Sequence, residues 1–239
     1  WIYRKGTDKE YFSELFIEQL CKFFEFETAH YEYDDGFIRS KNFADKYNFE
    51  PMSSLMGNDD TFEQVFNLLY EMNINYAKDY LKIVFMDILD NNVDRHNENY
   101  GFLRDKKTGK IIKMAPNFDN NLALVSRESL NPNMHRSGLA TLFIKFLARN
   151  KNASNLIKEI HIKPLTIEVV ESIIKNIPVH IDEDIITHIN SVFLNLTQLG
   201  VGPKEGFMIE DDTAVWEDFI DDSIQLQAVK TYMYLKVKL

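Results

Sequence analysis

The residues able to do chemistry in this sequence gather in one short window. Residues 88–103, "ILDNNVDRHNENYGFL", hold Asp94, His96 and Asn99 among four asparagines, between an apolar helical pattern and a strand-like pair. A second stretch, "APNFDN", brings Asp119 after a further hairpin's worth of chain. An aspartate, an asparagine five positions on, and a second aspartate beyond a hairpin are the parts that phosphoryl transfer needs. One carboxylate orients the attacking hydroxyl. An amide oxygen and the other carboxylate hold magnesium on the nucleotide phosphates, and the neutral amide keeps negative charge from accumulating against them.

Two plainer readings compete. Asp94 and Asn99 could simply close Asx-turns, but that leaves the spacing to Asp119 and the flanking apolar patterns without a reason. A calcium loop starting at Asp90 has Asp90, Asn92 and Asp94 in alternation. It then fails at its sixth and twelfth positions, which are Arg95 and Gly101 where glycine and glutamate are required. Arg95 reads as a structural ion-pair partner. His96 is open between packing and proton transfer.

Stepping outward, "WIYRK" alternates like a strand and stops at Gly6. "DKEYFSELFIEQLCKFF" reads as a helix capped by Asp8, with Tyr11, Phe12, Leu15, Phe16, Leu20 and Phe23 on one face. "TAHYEYDDGFIRSKNF" reads as a hairpin turning at Asp35-Gly36. After Pro51 the patterns are helical, with a cap at Asp60 or Thr61, and the polar window is followed by strands at 100–103 and 111–114. Helical patterns resume at 139–149, 166–177, 182–199 and 213–236. The expected architecture is α+β and bilobal, with a small β-rich lobe at 1–50 and a large helical lobe at 51–239.

With these elements in place, "NVDRHNENYGFL" followed by "KMAPNFDNNLAL" resembles the HipA-type serine/threonine kinases, including their shorter CtkA-like members. The "DRHNEN" core is also similar to the loop of phosphatidylinositol 3- and 4-kinases. The resemblance extends upstream through "YRKG", "FSELFIEQLC" and "AHYEYDDGFIRSKNF", and covers roughly residues 1–150. It implies ATP and Mg²⁺ as cofactors, a protein substrate phosphorylated on Ser or Thr, and for some members an antitoxin partner. It implies Asp94 as the catalytic aspartate, Asn99 and Asp119 as magnesium ligands, and His96 as the lipid-kinase-like histidine. Lys5 becomes the phosphate-pairing lysine, with Arg4 the competing choice. Glu14 becomes the glutamate that positions the lysine, with Glu18 the fallback. The adenine-binding hinge falls between Ser40 and Phe43. A glycine-rich loop should precede the lysine strand, and the nine glycines here form none. That element is expected ahead of Trp1, or else another phosphate clamp replaces it. The rival readings are a lipid kinase and a catalytically silent kinase-fold binding module.

Composition narrows the classes further. At 239 residues, 45% hydrophobic and with 18 phenylalanines, the chain can bury a large core. The formal charge of −10 speaks against a generic nucleic-acid binder and against stable adsorption to anionic membranes. One cysteine, Cys21, excludes an internal disulfide and fits a cytoplasmic setting. His30, His135, His161, His180 and His188 lack metal-ligand spacing, and Trp216, Phe219, Ile220, Ile224 and Val229 read as helix packing. Ser126, Ser129 and Ser137 are candidate self-phosphorylation sites in the stretch after Asp119, where substrate would dock.

Overall fold

The structure, a computed structural model, describes residues 1–34, 36–56, 61–90, 92, 94–124, 139–160, 162–163, 165–183 and 186. Its first helix, α1 (Asp8–Phe23), is capped by Thr7 and not by Asp8. The Thr7 hydroxyl accepts from the Glu10 N–H at 3.3 Å, and the Glu10 carboxylate accepts from the Thr7 N–H at 2.7 Å. Asp8, already inside the helix, cannot form that reciprocal cap. Tyr11, Phe12, Leu15, Phe16 and Leu20 are buried and Phe23 packs on them, as the pattern predicts. Ser13, Glu14 and Glu18 on the remaining surface are buried as well. Buried carboxylates require partners, so the polar side of α1 is committed to specific bonds.

Strand β1 (Ile2–Arg4) and the hairpin of β2 (Tyr31–Asp34) and β3 (Phe37–Ser40) form an antiparallel sheet in the order β1-β3-β2. Gly36 turns the hairpin with φ +82°, a conformation glycine takes without strain. The Glu18 carboxylate fastens α1 to this sheet by accepting from the Tyr31 N–H at 3.0 Å. Lys22 and His30 stand against it at 2.6 and 2.7 Å.

A second antiparallel sheet, β4-β5-β6, joins Tyr47–Pro51, Gly101–Asp105 and Ile111–Met114. Strand β4 lies outside the expected pattern. It spans residue 50, the expected boundary, and pairs with β5 from the later segment. Helices α2 (Phe62–Met72), α3 (Ile74–Leu89), α4 (Leu139–Arg149), α5 (Lys151–Lys158) and α6 (Ile167–Asn176) complete the described elements. Thr61, with Gln64, caps α2. Helix α5 is also additional to the expected set. A continuous apolar cluster runs from α1 through α2 and α3 to α4, α5 and α6.

The fold class is α+β. Among the described residues, no helix is long and apolar enough to cross a membrane. The expected helix at 213–236, most of that at 182–199, His135, His161, His188 and the three candidate serines lie outside the described residues.

Candidate active site

Helix α3 ends at Leu89 with Asp90 as its C-cap, and the chain then folds on its own side chains. The Asn92 N–H donates to the Asp87 carbonyl at 2.8 Å and to the Asp90 carboxylate at 3.1 Å. Asn92 Oδ1 in turn accepts from the Asp94 N–H at 3.2 Å. These are Asx-type turns, and they present Asp94 half-buried at the loop. The Asn99 N–H donates to the His96 carbonyl, and Asn99 Nδ2 makes a long 3.5 Å contact to the Asp94 carbonyl. The His96 ring is exposed and accepts from the Glu98 N–H at 3.3 Å, so its visible part is to hold the loop.

Arg95 organises this region. Its Nε stands 3.0 Å from both Asp87 carboxylate oxygens, and its Nη2 donates to Asp87 Oδ1, Asn117 Oδ1 and Asn120 Oδ1, each at 2.8 Å. Nη1 donates to the Asn99 carbonyl at 3.1 Å and the Phe118 carbonyl at 2.5 Å. The ion pair is buried, with side chains 9% and 4% exposed. Burial works against the Arg95 charge, but Asp87, Asp90 and Asp119 more than offset it and raise its pKa above the ordinary value. Burial pushes Asp87 up and the guanidinium pulls it back. Burial, then the Asp87 charge, pushes Asp90 well up. Removing one partner of such a pair leaves an uncompensated buried charge, at a cost of about 3–5 kcal/mol.

The segment carrying Asp119 is docked by α1. Three α1 side chains, at spacings that share a helical face, reach it in succession. Glu10 accepts from Asn121 Nδ2 at 3.2 Å, the Ser13 hydroxyl donates to the Ala123 carbonyl at 2.9 Å, and Glu14 accepts from the Asn120 N–H at 3.0 Å. The Tyr31 hydroxyl bonds Glu14 and accepts from the Asp119 N–H at 3.2 Å. Burial, reinforced by the Asp119 charge, pushes Glu14 up to about 7, against the pull of the Asn120 N–H, Tyr31 and Arg4. Asp119 has φ +59°, a left-handed conformation that few non-glycine residues adopt and that Asp tolerates better than most.

The sequence-expected residues divide as follows. Asp94, Asn99, Asp119 and Glu14 come together through the bonds just described. Phe43 joins them at one remove. Its ring lies 5.1 Å from that of Phe118, the neighbour of Asp119, and 6.1 Å from Phe49. Ser40 ends β3, paired with Ile2 and Tyr31. Lys5 is not brought in; its ammonium sits 5.1 Å from the Phe37 ring centroid. Its neighbour Arg4, the last residue of β1, instead donates from Nη1 to Asp119 Oδ1 at 3.0 Å. Among the described residues Glu14 has no lysine partner, and Arg4 is the cation paired with Asp119. Sequence reasoning missed Asp87, Asn117 and Asn120. The available signal was Asp87 itself, a lone charge within the apolar run "IVFMDIL".

Asn99 and Asp119 suit a hard divalent cation. They combine one neutral oxygen, left over when Nδ2 turns to the Asp94 carbonyl, with one carboxylate whose side chain is 32% exposed. Among the described residues, no three His, Cys, Asp or Glu side chains converge as a metal cage. Magnesium does not require one, because it takes one or two protein ligands alongside phosphates and water.

Against this geometry, the solved structure of the Helicobacter pylori proinflammatory kinase CtkA superposes with a TM-score of 0.61 over 82% of this chain and 85% of that one, at 17% identity. The chain shares the fold of that kinase. Shewanella oneidensis HipA, solved with HipB and operator DNA, matches 77% of this chain and 54% of that one, at 15% identity and a TM-score of 0.46. A family model described as a phage connector protein matches residues 174–239, a segment that contains none of the candidate site. No curated protein matches the sequence.

Proposed function

We propose that this chain is an ATP- and Mg²⁺-dependent kinase of the HipA-like class that phosphorylates serine or threonine of a protein. One observation carries the reading. A single Arg95 nitrogen bonds both the Asn99 and the Phe118 carbonyls, so the loop with Asp94 and the segment with Asp119 are joined at one proposed metal ligand and directly beside the other. The CtkA-like fold supports the same reading.

In this account Asp94 accepts a hydrogen bond from the substrate hydroxyl and orients it. Asn99 Oδ1 and the Asp119 carboxylate hold magnesium, which when bound neutralises charge on the phosphates. Arg4, in place of Lys5, supplies the cation on the strand side. Phe43 and Phe118 offer apolar surface for the nucleobase. A protein acceptor is favoured over an inositol lipid. The stretch after Asp119 has only Arg127 and Arg136 as firm positive charges, and the whole chain carries −10. The single Cys21 is in keeping with a cytoplasmic setting, and an antitoxin partner belongs to the proposal only through the HipA-type resemblance.

The test is radiolabelled ATP supplied to the full chain alone, with a generic basic protein, and with phosphatidylinositol vesicles. Label should enter protein. Asp94→Ala should reduce transfer by at least ~100-fold with little change in nucleotide affinity. Label in lipid alone would promote the lipid-kinase reading, and no transfer with intact nucleotide binding would promote the silent module.

A further inference from the structure

We infer that Arg95 is a positioning residue for the metal-binding pair, setting the separation of Asn99 and Asp119 from an anchor in helix α3. The inference rests on the kinase reading and deepens it.

A purely stabilising role would be complete with Asp87. That carboxylate already takes Nε and shares Nη2, and it sits on the buried side of a core helix. The rest of the guanidinium is spent elsewhere. Nη1 is divided between the carbonyl of Asn99 itself and that of Phe118, directly before Asp119. Nη2 reaches the side chains of Asn117 and Asn120, so Asp119 is bracketed from before and after in sequence. Arg95 also directly follows Asp94. One rigid planar group thus bonds the backbone of Asn99 and that of Phe118 beside Asp119, from a residue that adjoins Asp94 in sequence. A planar fork with five N–H donors can serve acceptors in several directions within one plane. A lysine ammonium, with three donors around one point, cannot. Partners that orient metal ligands commonly alter metal affinity by about 10–100-fold when changed.

The test uses Arg95→Lys and Asp87→Asn in the full chain. Binding of a non-hydrolysable ATP analogue is titrated with Mg²⁺, at temperatures where circular dichroism shows each variant folded. Arg95→Lys should raise the Mg²⁺ concentration for half-maximal binding by ~10-fold or more. Its affinity for the metal-free analogue should change little. Asp87→Asn keeps an acceptor oxygen but loosens the anchor, and should shift the Mg²⁺ requirement in the same direction by less. If Arg95→Lys does not fold, the Asp87→Asn shift decides. A lowered melting temperature with wild-type Mg²⁺ dependence would mean that Arg95 only stabilises. That outcome overturns this inference and leaves the kinase reading standing. A wild-type chain without Mg²⁺-dependent analogue binding would overturn both, because Arg95 would then have no metal site to position.

Discussion

Glu14 is the residue at which the chain's electrostatics are most exposed to test. Its carboxyl is buried beside Asp119 and rises from 4.5 to about 7 on folding. The folded chain therefore keeps a proton that the unfolded chain gives up between those values. The sign follows: stability falls as pH rises from about 4.5 to about 7, by up to about 3 kcal/mol, and then levels off. Glu14→Gln stays neutral and should flatten this slope in metal-free urea unfolding between pH 4 and 8. Asp87 and Asp90, also raised, add slope of the same sign, so some should remain. An unchanged slope in the variant would contradict the Glu14 assignment. At this scale the sequence was legible where chemistry is local. The spacing of Asp94, Asn99 and Asp119 singles out the loop and the segment that Arg95 ties together. Which of Arg4 and Lys5 meets Asp119 was not legible, because it depends on how the end of β1 sits in the folded sheet.

At the scale of elements, periodic segments were readable and short or non-local ones were not. Helix α1 follows from its apolar spacing, and the hairpin β2–β3 from Asp35-Gly36. Strand β4 is five residues containing Asn and Glu and ending in Pro51, which reads as a break. What makes it a strand is β5, whose residues lie about fifty positions on. Helix α5 is equally quiet. It has an Asn150 cap and only Ala153, Leu156 and Ile157 buried. The β4–β5 pairing carries a sharp constraint directly after the loop that holds Asp94 and Asn99. A Cβ on Gly101 would lie 2.1 Å from the Glu50 carbonyl oxygen and 2.8 Å from Pro51 Cα, both backbone atoms that cannot swing aside. Gly101→Ala should therefore destabilise the chain by about 1–3 kcal/mol in chemical denaturation. Wild-type stability in that variant would mean that β4 does not pack on β5 as described.

For the whole molecule, the α+β class was legible from the order of patterns, while the sheet that joins residues 47–51 to 101–114 was not. The shared fold with CtkA sets the frame, but a fold does not specify an activity. The proposed activity rests on whether Asn99 and Asp119 act as one metal site under a nucleotide. Calorimetry of ATP binding to the full chain, with and without Mg²⁺, tests this most directly, alongside Asp119→Asn. Binding should strengthen with Mg²⁺ in the wild-type chain. Asp119→Asn should lose at least ~10-fold of that Mg²⁺-dependent affinity while circular dichroism shows the fold retained. Nucleotide binding indifferent to Mg²⁺, or an Asp119→Asn variant that binds Mg-ATP as the wild type does, would contradict it.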